Sequence, residues 1–368
     1  MAAPAGDNVQ LTDGEERAIS SYFGFDCLYD HQRKVISDTL LSKDVFLSTK
    51  TSSGKSLCYQ SIPVVYQHRQ LPVIVLVISP LLSIMEEQVH LLRAMGFTAT
   101  VIGKDPKENN DIKTGKYSFL YTNPETVLKD DEWREVLMTE VYRKTVRLIV
   151  VDEAHTVTQW GTSSTEEVFR EWFGRLGELR SLLPGIPMLA ITATATNINR
   201  RKIKQKLCMM NSIDYTESPD RNNISLFVSE IPHAKPLEEV FGWLVTAAKQ
   251  NSCPRTVVFC KSIGDTAKVY GMFVRELAGC HREIVNMYHS CTLPNIKEKI
   301  RANMNDIDGS LQILICTNAA GMGVDFKGVQ SVVNYGPPQE LDTLIQQLGR
   351  AGRDGSQSLH ILFYKNNK

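Results

Sequence analysis

An apolar run that ends in two carboxylates constrains the fold more than any other stretch. Leu148 to Val151 are apolar and mostly β-branched, which is typical of a strand buried on both faces of a sheet. Asp152 and Glu153 follow directly. Adjacent acids repel each other unless a cation or a reacting water uses them, and open α/β sheets bind ligands at the carboxyl ends of their strands. The stretch therefore predicts an α/β sheet whose edge holds either a solvated turn or a site.

A loop earlier in the chain favours a ligand-binding site over a solvated turn. Residues 44–48 form a short strand-like stretch, and a loop of small residues then leads to Gly54, Lys55 and Ser56. A strand, a small-residue loop and Gly-Lys-Ser opening a helix place backbone N–H groups and a helix N-terminus against phosphates. Lys55 is expected to neutralise phosphate oxygens, while Ser56 and Asp152 hold Mg²⁺. Thr49 stands where this motif usually has its first glycine. The expected phosphate contacts of the loop are Thr51, Ser52, Ser53, Gly54, Lys55 and Ser56.

Composition sets the outer bounds. A chain of 368 residues favours about two domains. Lysine plus arginine equals aspartate plus glutamate, 41 each, so the net charge gives no indication of a nucleic-acid partner. The eight cysteines lack zinc-like spacing, so we expect no zinc, and Cys58, Cys260 and Cys316 lie in apolar runs expected to be buried. Without a signal peptide or an apolar stretch of about 18 residues, we expect an intracellular, soluble protein with no membrane partner, nuclear if the source is eukaryotic.

The order of apolar stretches predicts two halves. After a disordered tail of residues 1–10, residues 11–216 form the first domain, and a linker near 218–221 leads to the second, residues 217–368. Strand-like stretches of the first half are expected to form a doubly wound sheet of five parallel strands. The stretches are 44–48, 72–79, 99–102, 117–121, 148–151 and 187–192 in the first half, and 224–228, 255–260, 283–287, 311–316, 331–335 and 360–364 in the second.

Four side chains outside the loop are further candidates for nucleotide binding. Gln32 is either an ordinary solvated helix residue or a bidentate partner of adenine, with Phe25 stacked on the base. Arg350 and Arg353 alternate with glycines near the end of the chain. Arginine suits phosphate oxygens, and Arg353 is expected to act as an arginine finger, with a structural ion pair as the alternative.

With these residues assembled, the chain resembles the RecQ family of superfamily-two helicases from about residue 20 to residue 365. FGF with Gln32 resembles the family's adenine-recognition motif, TSSGKSLCYQ motif I, SPLLSIMEEQV motif Ia and DEAH at 152–155 motif II. TVTQWG and FREWF resemble the aromatic-rich loop that couples DNA to ATP hydrolysis. TAT, FCKS, TNAAGMGVDF and QQLGRAGRDG resemble motifs III to VI. The resemblance implies two tandem RecA-like domains, each a mostly parallel sheet flanked by helices, with ATP in the cleft between them.

The resemblance also implies roles for individual residues. Glu153 would activate the attacking water, and Gln346, Arg350 and Arg353 would stabilise charge on the phosphoryl group. Gly323 and Asp325 would contribute to the nucleotide site. Residues expected to contact single-stranded or forked DNA, or to couple it to hydrolysis, are Ser79, Thr122, His155, Trp160, Phe169, Arg170, Thr192, Lys261, His289 and Thr317.

The chain departs from the family pattern at three places. Tyr29 stands where the family usually has arginine. The aromatic-rich loop carries an inserted TSSTEE, with Glu167 and Val168 at positions that are usually His and Asp. The sequence stops at Lys368, before the zinc and winged-helix segments typical of the family.

Four functions stay open at this stage. The first is an ATP-dependent 3′–5′ DNA helicase or translocase in DNA repair or recombination. A DNA-stimulated ATPase that cannot unwind duplexes, an RNA-dependent ATPase and a non-enzymatic DNA-binding scaffold are the alternatives. Intact Lys55, Asp152, Glu153 and Arg353 disfavour the scaffold.

Overall fold

The computed structural model describes residues 10–51, 53–159, 172–278, 282–318 and 326–366. The chain divides into two units, Met1–Ser218 (unit 1) and Pro219–Lys368 (unit 2). Within the part described, each unit is a parallel sheet flanked by helices, which confirms the predicted α/β class.

Unit 1 contains a seven-stranded sheet with the strand order β3-β4-β2-β5-β6-β1-β7. All neighbouring strands are parallel. Alternate residues of the strands pack into two hydrophobic clusters on opposite faces; Phe46 belongs to one, and Val45 and Leu47 to the other. The strands are β1 Val45–Ser48, β2 Ile74–Ile78, β3 Ala99–Val101, β4 Phe119–Thr122, β5 Val146–Val151, β6 Met188–Thr192 and β7 Ile213–Thr216.

The helices of unit 1 precede or connect these strands. The first begins after Thr12: Thr12 Oγ1 accepts a hydrogen bond from Glu15 N, and the Glu15 carboxylate accepts one from Thr12 N. The α-helices are α1 Asp13–Phe23, α2 Asp30–Leu40, α3 Leu57–Gln60, α4 Ile62–His68, α5 Leu82–Ala94, α6 Asn109–Lys113, α7 Pro124–Lys129, α8 Asp131–Met138, α9 Glu140–Thr145, α10 Thr156–Gln159, α11 Leu179–Leu182 and α12 Asn197–Lys206. Two 3₁₀ helices span Pro106–Glu108 and Trp172–Glu178.

The predicted number of strands in the first half was wrong. Five parallel strands were expected, although six strand-like stretches were named; all six overlap a strand, and the described part of the unit contains seven strands. Strand β7 lay in no predicted stretch because its four residues, Ile-Asp-Tyr-Thr, include only one aliphatic side chain. Its partner explains why it forms: β7 pairs with β1 over all four residues, a contact distant in sequence.

Unit 2 contains a six-stranded parallel sheet with the order β10-β11-β9-β12-β13-β8. All six predicted stretches of this half contain a strand. The strands are β8 Ile224–Glu230, β9 Thr256–Cys260, β10 Val285–Tyr288, β11 Ile313–Cys316, β12 Ser331–Tyr335 and β13 Ser358–Tyr364. The helices are α13 Leu237–Val240, α14 Gly242–Lys249, α15 Ile263–Glu276, α16 Pro294–Asn305 and α17 Leu341–Leu348, with a 3₁₀ helix at Arg282–Ile284.

The predictions about cysteines, metal ions and membrane spans can be compared with the described residues. Cys58, Cys260 and Cys316 are buried free thiols, as predicted. No group of three or more His, Cys, Asp or Glu side chains within the described ranges is arranged to hold a metal ion. Every helix among the described residues is too short or too polar to cross a bilayer.

A buried histidine in the unit 2 sheet has a consequence for stability. His360 lies in β13 with no exposed surface, and its Nε2 lies 2.7 Å from Asn334 Oδ1. Burial lowers the pKa of His360 from 6.5 to about 4, because the charged imidazolium loses its hydration. Between these values the unfolded chain binds a proton that the folded chain does not. Folding stability therefore falls as the pH drops from 6.5 towards 4.

We expect His360→Gln to reduce this pH dependence. The linkage is about 1.4 kcal/mol per pH unit, so the wild-type unfolding free energy should lose about 2 kcal/mol more than that of the variant between pH 6.5 and 5. Urea denaturation at both pH values measures the difference. His68→Gln, at an exposed histidine, is the control. Identical pH dependence of the wild type and His360→Gln would contradict the assignment of a neutral buried His360.

Candidate nucleotide-binding site

The carboxyl edge of the unit 1 sheet brings the predicted acids to fixed positions. Asp152 N donates to Ile78 O of the adjacent β2 at 2.9 Å, and Ala154 N donates to Ile191 O of β6 at 2.8 Å. Glu153, held between these two anchors, has a φ of +48°. A non-glycine residue in this region stores strain, which concentrates at functional sites. The sheet therefore presents both carboxylates at its edge as a preset pair.

The loop after β1 has the shape of a phosphate cradle. Thr49 Oγ1 and Ser53 Oγ lie 2.6 Å apart across it. Lys55 Nζ donates to Thr49 O at 2.9 Å and to Lys50 O at 2.7 Å, so the ammonium lies over the loop. Helix α3 begins directly after Ser56, as predicted, although it ends at Gln60 and α4 begins two residues later. The loop thus combines a cation with a helix start.

Gly54 shows why this loop needs one glycine. Its φ is +74°, a left-handed conformation, and a Cβ atom there would collide with Nε2 of Gln32. Gln32 Nε2 donates to Gly54 O at 3.1 Å, and Gln32 Oε1 accepts from Tyr29 N at 2.9 Å. Gln32 is only 3% exposed. Its side chain is thus a brace of the loop, not a solvated helix residue, and its contact with adenine stays a prediction.

Two aromatic residues, Phe25 and His31, lie close to Gln32 in the sequence. The Phe25 ring is half-buried and stacks on Phe23 with centroids 6.4 Å apart. Its stacking on adenine stays a prediction. The His31 Nε2 atom lies 3.2 Å from Ser53 O, on the same loop that Gln32 braces. Sequence reasoning missed His31, and its position next to Gln32 was the available signal.

The electrostatics of Asp152 suit a cation site. Burial, and after it the charge of the Glu153 carboxylate, raise the pKa of Asp152 to about 7, while the hydrogen bond from Glu153 N and the charge of Lys55 act in the opposite direction. An adjacent cation would remove the cost of ionising Asp152. The Asp152 carboxylate and the Ser56 hydroxyl supply oxygen, the donor that Mg²⁺ prefers, and Mg²⁺ takes its remaining ligands from water and phosphate. These residues fit Mg²⁺.

His155 links the acids to the next strand. Its Nδ1 lies 3.3 Å from Glu153 Oε2 and 3.2 Å from Thr192 Oγ1. Thr192 Oγ1 donates to Thr194 O and accepts from Thr194 N, at 2.9 and 3.1 Å. The DEAH and TAT segments are therefore in contact through His155, as its predicted coupling role requires.

Burial argues against three of the predicted DNA contacts. Ser79, Thr122 and Thr192 are all at most 1% exposed. Ser79 N donates to Thr122 O at 2.9 Å, so both residues belong to the edge where β2 and β4 end. Burial in this conformation disfavours direct phosphate contact by these three side chains, and their role in DNA binding or coupling stays a prediction. Lys261 is exposed, and His289 and Thr317 are half-buried, so their contacts stay predictions.

The arginine loop of unit 2 has a brace of its own. Asn223 Nδ2 donates to Gly352 O at 2.9 Å and to Ser356 O at 2.8 Å, and Arg221 Nη2 also donates to Gly352 O. Gly352 has a φ of +53°, and a Cβ there would lie 2.5 Å from Asn223 Nδ2. Arg350 is buried and Arg353 half-buried. Arg221 was expected only as part of the linker, and its support of this loop was not predicted.

Gln346 is half-buried. Six other predicted site residues lie outside the described part of the chain: Ser52, Trp160, Phe169, Arg170, Gly323 and Asp325.

Two protein-family models match this chain, one in each unit. The model of the DEAD/DEAH box helicase family matches residues 29–202, and that of the helicase conserved C-terminal domain matches residues 236–355. Together these matches contain the loop, the acids and the arginines described above.

Individual relatives cover most of this chain. The ATP-dependent DNA helicase RecQ of Pasteurella multocida is 28% identical over 94% of this chain and 51% of its own length. A second relative is a protein of Acanthamoeba polyphaga mimivirus that is named as an ATP-dependent RNA helicase, R290. It is 28% identical over 95% of this chain and 60% of its own length. The chain thus spans about half to three-fifths of these two relatives.

A solved structure confirms the predicted fold of tandem RecA-like domains. The crystal structure of the DUF1998 helicase MrfA bound to DNA matches with a TM-score of 0.76 at 17% identity, over 100% of this chain and 53% of that one. At this identity the likeness concerns the fold alone.

Proposed function

This chain belongs to the RecQ family of superfamily-two helicases, and on that basis we propose that it couples hydrolysis of Mg-ATP to movement along single-stranded DNA. The direction is 3′ to 5′, and the setting is DNA repair or recombination. One observation carries the proposal: the Lys55 loop and the Asp152–Glu153 pair follow strands β1 and β5, which flank β6 at the same carboxyl edge of the unit 1 sheet.

The loop binds and orients the triphosphate. Lys55 Nζ, now bound to the Thr49 and Lys50 carbonyls, moves to the phosphate oxygens, a stronger charge-assisted interaction. Ser56 and Asp152 would hold Mg²⁺, which would supply charge neutralisation at the phosphates. Gln32 keeps the loop in its cradle shape through Gly54.

Glu153 accepts the proton of the attacking water. Its strained backbone fixes the carboxylate beside Asp152, and the adjacent His155 joins it to Thr192. A change at Glu153 during hydrolysis is therefore passed to the segment that follows β6. Gln346, Arg350 and Arg353 of unit 2 stabilise charge on the phosphoryl group. Rearrangement of the two units with each cycle would move the DNA strand.

The test is the ATPase rate of the chain alone, with single-stranded DNA and with single-stranded RNA. We expect at least about tenfold stimulation by DNA and little by RNA, because the chain is expected to couple DNA contacts to nucleotide closure. Glu153→Gln keeps the shape of the side chain and removes the base, so it serves as the inactive control. A forked duplex then shows whether strand separation accompanies hydrolysis.

Every other result of these ATPase and strand-separation assays would indicate a different function. Stimulation by RNA alone would replace the proposal with an RNA-dependent ATPase. DNA-stimulated hydrolysis without strand separation would establish a translocase that cannot unwind. DNA binding without any turnover would favour a scaffold.

A further inference from the structure

Four polar side chains form a continuous chain of hydrogen bonds inside unit 2. His360 Nε2 lies 2.7 Å from Asn334 Oδ1, and Asn334 Nδ2 donates to Gln347 Oε1 at 2.6 Å. Gln347 Nε2 then donates to Asn318 Oδ1. His360, Asn334 and Gln347 are at most 2% exposed, whereas Asn318 is exposed. The chain therefore runs from the buried sheet to the surface.

The hydrogen bonds have one consistent direction. Each of the two inner amides, Asn334 and Gln347, accepts through its oxygen and donates through its nitrogen, so neither can rotate by 180° without losing both bonds. Because the Asn334 oxygen accepts, Nε2 of His360 must carry the proton that it donates to Asn334. A connected network of this kind holds the two amides in one arrangement, because each amide is bonded through both its oxygen and its nitrogen.

The outer end of the network lies in two segments that carry predicted site residues, helix α17 and the segment after β11. Gln347 lies in α17, next to Gln346, and its carbonyl accepts from Arg350 N at 3.1 Å. Its backbone thus begins the turn that carries the arginines. Asn318 follows Thr317 directly, in the segment that leaves β11. The Gln347–Asn318 hydrogen bond joins these two segments.

We propose that Gln347 and Asn318 are positioning residues that hold the arginine-bearing turn in register with the segment following β11. This inference rests on the proposed function, since the register matters for catalysis only if the arginines act on ATP. Neither side chain touches the nucleotide. Gln347 places Arg350 through its own backbone, and Asn318 tethers Gln347 to the segment that follows β11.

The test combines single and double variants. Asn318→Ala removes the surface end of the network without opening the core, because Asn318 is exposed. We expect kcat of DNA-stimulated ATP hydrolysis to fall about fivefold to tenfold, with KM for ATP and the urea midpoint nearly unchanged. Gln347→Leu should lower kcat further, and adding Asn318→Ala to it should cost nothing more, because the two residues act through one bond. Gln339→Leu, at an exposed glutamine just before α17, is the matched control.

Hydrogen exchange separates this inference from the proposed function. Without nucleotide, the amides of residues 341–353 should exchange faster in Asn318→Ala than in Gln339→Leu, since the turn has lost its tether. Unchanged exchange, or additive losses of kcat in the double variant, would overturn the link. If the unmodified chain shows no DNA-stimulated hydrolysis, the proposed function fails, and the exchange experiment still decides whether Asn318 tethers the turn.

Discussion

Lys55→Ala is expected to abolish DNA-stimulated ATP hydrolysis. The substitution removes the cation held over the loop by the Thr49 and Lys50 carbonyls, so the triphosphate loses its charge-assisted donor. Loss of one preorganised electrostatic contact of this type costs about 10²–10³ in turnover. The Lys55 charge also opposes the raised pKa of Asp152, so its removal makes the cation site harder to ionise.

The measurement is steady-state ATP hydrolysis with saturating single-stranded DNA. Lys34→Ala removes an exposed lysine of α2 and is expected to keep the wild-type rate, which controls for loss of positive charge. Turnover in Lys55→Ala equal to that of Lys34→Ala would eliminate the phosphate cradle as the site of hydrolysis.

Arg353→Ala should separate ATP binding from hydrolysis. An arginine finger stabilises charge that develops only in the transition state, and its removal costs about 10³–10⁵ in turnover. The affinity for ATP should change by no more than about threefold, because the loop and the acids of unit 1 are intact. Arg353→Lys should recover only a small part of the rate, since lysine keeps the charge but lacks the planar fork.

Nucleotide binding by a fluorescent ATP analogue, measured beside turnover, checks this separation. Arg275→Ala is the control, because its surface ion pair with Glu238, at 2.9 Å, contributes little to stability. A parallel loss of affinity and turnover in Arg353→Ala would show that Arg353 supports the fold of its loop and does not act on the phosphoryl group.

The predictions that succeeded concern contiguous sequence. Strand β5 and the Asp152–Glu153 pair are adjacent in the chain, as are β1 and the Lys55 loop, so the fold could only place them at the same edge. The predicted strand count failed because it depended on a contact distant in sequence. Strand β7 forms because β1 offers it a partner.

The amino-acid sequence alone determined which residues end the strands and what chemistry they carry, because strand periodicity and the phosphate motif are local properties. Only the tertiary structure decided that Gln32 braces Gly54, that Asn223 supports the arginine turn and that Gln347 connects His360 to Asn318. Each of these contacts joins residues between 13 and 129 positions apart, so it needs the sheets assembled. Side-chain hydrogen bonds depend on distances of a few tenths of an ångström, and packing sets such distances only after the sheets have formed.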